Sequence, residues 1–250
     1  MIAQYRLKLN QAEGGRILNT AAYRLYAWLL EQVDEEYAEY AHRQENRCLS
    51  QYLSRDTWVI NLFGEEAGEN FGAVLENTKE IHLNGCVLSV ADSSSILIEK
   101  AEDILNRGRE LSCRKAELLF LTPTSFRQAG RYAIYPEPGL LVQSLLMGWN
   151  QLCPSFLLDD KDVESELKKG IHIVDYSLRT ARFKLKDTAI PGFLGWASVE
   201  ARLPVVLLEL WNALLYFSQF SGLGIKTALG MGGLEVYSLG TKTGSFLCGS

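Results

Sequence analysis

Ser221-Gly222-Leu223-Gly224-Ile225-Lys226-Thr227-Ala228-Leu229-Gly230-Met231-Gly232-Gly233 is the stretch on which the fold turns. Five glycines fall within twelve positions, around one lysine and one threonine. An apolar, helix-like run from Pro204 to Phe220 leads in, and a strand-like Leu234-Glu235-Val236-Tyr237 leads out. Glycine accepts positive φ and carries no Cβ, so such a loop presents successive backbone N–H groups to an anion. A central lysine adds a point charge suited to phosphate. A nucleotide-binding P-loop is excluded, because Ile225 separates Gly224 from Lys226 where that motif needs Gly-Lys adjacent. The order is also reversed, since a helix C-terminus with its partial negative charge feeds the loop. A dinucleotide fingerprint fails at Thr227, which stands where the third glycine is needed. A simple C-capping turn uses one or two glycines, and each further one costs conformational entropy.

Size and composition frame the loop. A chain of 250 residues with 47% hydrophobic and 22% charged content can bury one large core or two small ones. No apolar run reaches transmembrane length, and Met1-Ile2-Ala3-Gln4-Tyr5-Arg6 lacks a signal peptide's apolar centre. A cytoplasmic protein without a membrane partner is expected. Cys48, Cys86, Cys113, Cys153 and Cys248 stand singly, as reduced structural thiols do. The net charge of −5 argues against a generic nucleic-acid binder. Three acidic segments, 31–39, 65–69 and 159–166, hold −5, −3 and −4, which leaves +7 on the rest of the chain and room for a basic face.

The order of elements repeats. Residues 1–9 read as a strand, Glu13-Gly14-Gly15 as a turn, and a helix runs from Thr20, its N-cap, towards Tyr40. Leu18, Ala21, Ala22, Leu25, Leu29 and Val33 form its apolar face, and Glu31, Asp34, Glu35, Glu36 and Glu39 its solvated one. Strands at 48–53 and 57–63, a helix at 65–77 and a strand at 80–90 complete a β-α-β-β-α-β unit. After the serine run 92–95 and a mixed segment to Cys113, the second half has a strand at 116–121 and a helix at 140–153. Strands near 170–186 and 189–200, the helix 204–220 and the final strand follow. The expectation is an α+β protein of two tandem ferredoxin-like (RRM-like) domains, 1–112 and 113–250, the second carrying the glycine-rich loop.

Preceded by Phe217-Ser218-Gln219-Phe220, the loop resembles the glycine-rich loop of the RAMP superfamily of CRISPR-associated RNA-binding proteins. In particular it resembles the endoribonucleases of that superfamily that cut precursor CRISPR RNA within its repeats. Leu121-Thr122-Pro123-Thr124-Ser125-Phe126-Arg127 resembles the family's segment opening the second domain, and Gly192-Phe193-Leu194-Gly195 its glycine-containing strand before the last helix. The resemblance covers the second half; in the first half it consists of the element order and a histidine after the first helix. It implies CRISPR repeat RNA as substrate and partner, and no cofactor. Homodimerisation and transient association with an interference complex are the further partner expectations. The alternatives are a non-catalytic RAMP subunit that binds guide RNA and, from another class, a phosphate-binding metabolic enzyme of ferredoxin-like fold.

Three histidines are available. His82 and His172 alternate with apolar neighbours, as polar-face residues of half-buried strands do. His42 lies after the first helix, beside Arg43 and Arg47, and suits either a C-terminal dipole partner or a proton-transfer group. No HExxH or clustered ligand spacing marks a metal site, and Asp159, Asp160 and Asp162 suit a turn cap better than Mg²⁺. Metal-independent RNA cleavage needs a base for the ribose 2′-OH, a cation for the phosphorane and an acid for the leaving 5′-oxygen. The resemblance assigns His42 as catalytic, a tyrosine of the first helix beside it (Tyr26, with Tyr23 the alternative), and Arg47 where many relatives have lysine. For RNA binding it points to Gly222, Gly224, Lys226, Thr227, Gly230 and Gly232 of the loop. It also points to Arg182, Lys184 and Lys186 on one face of a strand, with Arg127 and Arg131 as weaker candidates.

Overall fold

The structure is a computed structural model that describes residues 1–11, 15, 17–43, 47–185 and 188–239. Lys186, Glu13, Gly14 and Cys248 therefore lie outside the described residues. In chain order the first half contains β1 (Ile2–Gln11), α1 (Ala21–Leu30), α2 (Glu35–His42), β2 (Leu49–Ser54), β3 (Thr57–Phe63), α3 (Glu65–Asn77), β4 (Glu80–Leu83), β5 (Cys86–Ile98) and α4 (Ala101–Leu111). The second contains β6 (Lys115–Thr124), β7 (Phe126–Gln128), β8 (Arg131–Ala133), α5 (Pro138–Leu152), α6 (Lys161–Gly170), β9 (Ile171–Leu185), β10 (Thr188–Ala201), α7 (Val205–Ser221) and β11 (Leu234–Ser238). One sheet has the antiparallel order β2-β3-β1-β5-β4 and the other β11-β6-β10-β9. In each, the first strand of the unit is central, between the third strand and the last long one. That is the ferredoxin-like arrangement, made twice.

Each sheet buries its own core. Leu7, Leu25, Leu29, Trp58, Ile60 and Phe71 anchor the first. Leu118, Phe120, Trp149, Phe193, Trp211 and Phe217 anchor the second. The apolar α7 lies inside this second core, with Trp211, Leu214, Leu215, Phe217 and Phe220 essentially inaccessible. No helix among the described residues is long and apolar enough to cross a membrane.

Several local expectations change. The first helix is two helices, because Asp34 accepts a hydrogen bond from Tyr37 N–H (2.9 Å) and starts α2 afresh. Thr20 makes no side-chain cap. The strand expected over 80–90 turns at Asn84-Gly85, with Gly85 at φ +89°, into the β4–β5 hairpin; Asn-Gly is a strong hairpin dipeptide. β5 continues through the serine run, where Ser93, Ser94 and Ser95 pair with Leu7, Arg6 and Tyr5. Backbone pairing to a buried strand holds this polar segment, and its hydroxyls suit an exposed edge. Asp160 accepts from Asp162 and Val163 N–H (2.8 and 3.2 Å), so the acidic loop is the N-cap of α6.

The other unforeseen helix, α4, precedes the expected division at residue 112 yet packs on α7. Gly108 lets this happen, since a Cβ there would lie 2.5 Å from the Glu209 carbonyl oxygen and 2.6 Å from the Ala213 Cβ. Gly108→Ala should force the helices apart and destabilise the protein by about 1–3 kcal/mol, read as a Tm lower by several degrees. An unchanged melting curve would show that the contact is not required.

Candidate functional site

The glycine loop is a wedge between the two sheets. Its N–H groups are largely engaged internally: Leu223 N donates to Gly232 O (2.9 Å), Ile225 N to Ser125 O (3.0 Å) and Gly232 N to Pro123 O (3.1 Å). Gly224 N donates to Ser144 Oγ (2.9 Å) and Gly233 N to Thr122 Oγ1 (2.8 Å). The expectation of a row of free N–H donors is thus corrected. The glycines serve close approach instead: at Gly224 (φ +81°) a Cβ would lie 2.2 Å from Ser125 O, and at Gly232 (φ +70°) 2.1 Å from Leu223 O. Thr227, Gly230 and Gly232 are buried, while Gly222, Gly224 and Lys226 are half-buried. Lys226 sits at φ +59°, in the left-handed region. Among the described residues its ammonium has no hydrogen bond or ion pair. The Thr122–Phe126 segment, noted in the sequence, is the strip to which the loop is sewn.

Arg47 is the first domain's hold on this loop. Its Nη2 donates to Ser221 O (3.0 Å) and to Thr227 Oγ1 (2.6 Å). Burial pushes its pKa down to about 10, which leaves it charged at neutral pH. Gln51 Nε2 donates both to Ala22 O in α1 and to Ala228 O in the loop (3.1 Å each). Trp58 Nε1 donates to the Gln51 side-chain Oε1 (2.9 Å), and Ser50 Oγ donates to Phe220 O. Arg47 also lines a cleft of about 160 Å³ with Arg127, Gln143, Ser144 and Gly224.

His42 is elsewhere. It is the last residue of α2, not part of the following connection, and its imidazole is exposed. The ring stacks on Tyr26, centroids 6.4 Å apart and planes at 27°. Tyr26 is only 4% exposed, and its hydroxyl points at Ala41 O (3.5 Å). Its phenol is pushed up to about 12 by burial first, then by the nearby Cys48 and Tyr23, so it is neutral near pH 7. An open depression of about 430 Å³ is lined by His42, Arg43, Leu30, Ala38, Glu35 and Glu39. The structure thus brings His42 and Tyr26 together, while Arg47 lines a different cavity. Arg43, the cation that shares His42's depression, was not singled out from the sequence. Its signal was adjacency to the histidine, which the resemblance to a more distant cation outweighed.

His82 and His172 are exposed strand residues between more buried neighbours, and His82 pairs with Glu80 (3.6 Å). Arg182 and Lys184 are exposed and flank the buried Phe183. Phe183 packs with Ile190 and Met231, so the β9–β10 hairpin also rests on the loop. Arg127 and Arg131 project from the β7–β8 hairpin, Arg127 lying over the Tyr132 ring at 5.3 Å. Among the described residues no group of three or more His, Cys, Asp or Glu gathers at one point.

Residues 118–234 match the family described as CRISPR-associated endoribonuclease Cas6. A Streptococcus thermophilus protein of that name is 29% identical over 227 residues, which are 86% of this chain and 90% of that one. A Mycobacterium tuberculosis protein of the same name is 27% identical over 235 residues, 89% of this chain and 74% of its own. The structure of Thermus thermophilus Cas6 matches at a TM-score of 0.72 and 23% identity, over 94% of this chain and 97% of that one. A Cas6 product complex gives 0.76 and 23%, over 95% and 99%. Two ferredoxin-like domains with a glycine-rich loop after the last helix are the fold on which this likeness rests. Over most of its length the chain is similar to CRISPR-associated endoribonucleases of the Cas6 family, and the family model itself matches its second half.

Arg47→Ala should leave the Ser221 carbonyl and Thr227 hydroxyl without this donor, at a cost of about 1–3 kcal/mol. The urea midpoint should fall and amide exchange at residues 223–231 should quicken. Loss of global stability with unchanged loop exchange would count against the tether.

Proposed function

We propose that the chain cuts CRISPR repeat RNA without a metal ion, His42 taking the proton from a ribose 2′-OH. The observation that carries this reading is His42 itself: exposed at a helix end, seated on a buried ring and beside a cation. O2′ attacks the adjacent phosphorus, the P–O5′ bond breaks, and a 2′,3′-cyclic phosphate and a 5′-hydroxyl remain. Histidine titrates near neutrality and suits the base role. Water protonates the departing O5′, since His82 and His172 lie on strands of their own. Tyr26, neutral and buried, orients the imidazole. Arg43 is the phosphorane's cation in this reading, and Arg47 is reassigned to holding the loop.

Binding belongs mainly to the second domain. Lys226, half-buried and without a hydrogen bond or ion pair among the described residues, Gly222 and Gly224 of the same loop, Arg127, Arg182 and Lys184 supply the surface for the RNA backbone, with Lys186 assigned from the sequence alone. Thr227, Gly230 and Gly232 contribute by shaping the loop. The reading extends to the cytoplasm as the place of action, to a homodimer and to transient association with an interference complex.

The decisive experiment is single-turnover cleavage of repeat RNA in excess EDTA. His42→Ala should slow it by roughly 10²–10⁴-fold with affinity little changed. Deoxyribose 5′ of the cut should abolish it while leaving binding intact. Strict Mg²⁺ dependence or cleavage of the deoxy substrate would overturn the mechanism. Binding without cleavage by wild type would make the chain a non-catalytic RNA-binding subunit. Arg43→Ala should reduce the rate more than Arg47→Ala once both are compared at equal folded fraction; the reverse order would return the cation's role to Arg47.

Lys226→Ala should weaken binding across RNA sequences and lower the salt dependence by about one phosphate contact. Identical affinity at several salt concentrations would leave the loop a purely structural wedge.

A further inference from the structure

Three tyrosines of the second domain are exposed without serving its core: Tyr132 (42%), Tyr135 (42%) and Tyr176 (54%). They are not scattered. Tyr135, in the approach to α5, meets Tyr176 of β9 edge to face, centroids 5.7 Å apart at 80°. Tyr132 lies three residues away, with the Arg127 guanidinium over its ring. An edge-to-face pair leaves ring faces open, and so does a ring covered by a cation on one side only.

Alternation along β9 then adds charge. The pairing register is unbroken from Tyr176 to Leu185, so Tyr176, Leu178, Thr180, Arg182 and Lys184 share one face. Arg182 lies about 20 Å from Tyr176 along the strand. The nearest acid on this strand, Asp175, falls on the opposite face, where its carboxylate accepts from Tyr176 N–H (2.8 Å). At the other end of the patch, Arg127 also lines the cleft against Gly224. Arg127 thus joins Tyr132 to the glycine-loop cleft, and β9 joins Tyr176 to a cationic strand end.

We propose that Tyr135 and Tyr176, with Tyr132 under Arg127, form a stacking platform for unpaired bases of the bound RNA, Arg182 and Lys184 taking phosphates several nucleotides further along the strand. This rests on the RNA-processing reading above and adds a site remote from His42. Every base has a π-face, so the platform grips single-stranded RNA with little sequence preference. A protein partner would also cover exposed rings, but cations on the same face of β9 and the place of Arg127 in the loop's cleft favour a polyanion with flat bases.

The test uses repeat RNA with 2-aminopurine in its unpaired flank, and a matched fully paired hairpin. Tyr135→Ala and Tyr176→Ala should bind the flanked RNA about five- to hundredfold more weakly. The salt slope should not change, because no charge is removed. Quenching of 2-aminopurine should be lost in both and retained in Tyr176→Phe. Binding of the paired hairpin should be unaffected. An alanine variant of unchanged Tm that binds and quenches like wild type would overturn the platform, leaving the patch to a protein partner. An equal loss on the paired hairpin would overturn it too. Wild-type cleavage, measured alongside, keeps the two readings apart: quenching without cutting sinks the proposed reaction and not the platform.

Discussion

The rest of the molecule depends on a polar wedge. The loop between α7 and β11 is held from one side by Arg47 and Gln51 and from the other by the Thr122–Ser125 strip. Its apolar side chains divide likewise, Ala228 and Leu229 packing on the first core and Ile225 and Met231 on the β9–β10 hairpin. Buried backbone groups are costly when unpaired, so each domain is committed to the other through groups it cannot leave unsatisfied. Gln51 extends the coupling by bonding the Ala22 carbonyl of α1, the helix that also carries Tyr26. The helix beneath His42 and the glycine loop are thus bridged by one side chain.

The same wedge explains which parts of the protein the sequence disclosed. The doubled order of elements was legible because strand alternation and the apolar face of α1 are local signals, and the loop was legible because five glycines in twelve positions have no bland explanation. What the glycines do was not legible. Positive φ and anion binding are the general uses of glycine, whereas here backbone contacts from residues about 100 positions away forbid a Cβ at Gly224. Helices α4 and α6 escaped for a related reason. Their sequences are mostly polar, and only tertiary contacts at Ile104, Gly108 and Leu167 give them a buried side. At the candidate site, His42 and Tyr26 were reached through the family resemblance, and the structure stacks their rings. The place of Arg47 was not, because its partners, Ser221 and Thr227, lie more than 170 positions away in the chain.

The electrostatics suit a division of labour. The chain is net acidic, and Glu35 and Glu39 line the same depression as His42 and Arg43. A phosphate drawn there by charge alone gains little, since one cation faces two carboxylates. Among the described residues, Lys226, Arg182 and Lys184 of the other domain make no ion pair with an acid. On the reaction proposed above, affinity is generated away from the imidazole, and the scissile phosphate reaches His42 because the remainder of the RNA is already fixed. Binding energy spent on positioning at a weakly attractive catalytic surface discriminates between RNAs: one that fills only the basic surface binds without being cut. A strongly cationic catalytic depression would hold any phosphate and lose that distinction. The acidic face of α2, which the composition alone made look ill-suited to an RNA enzyme, is on this argument part of its selectivity.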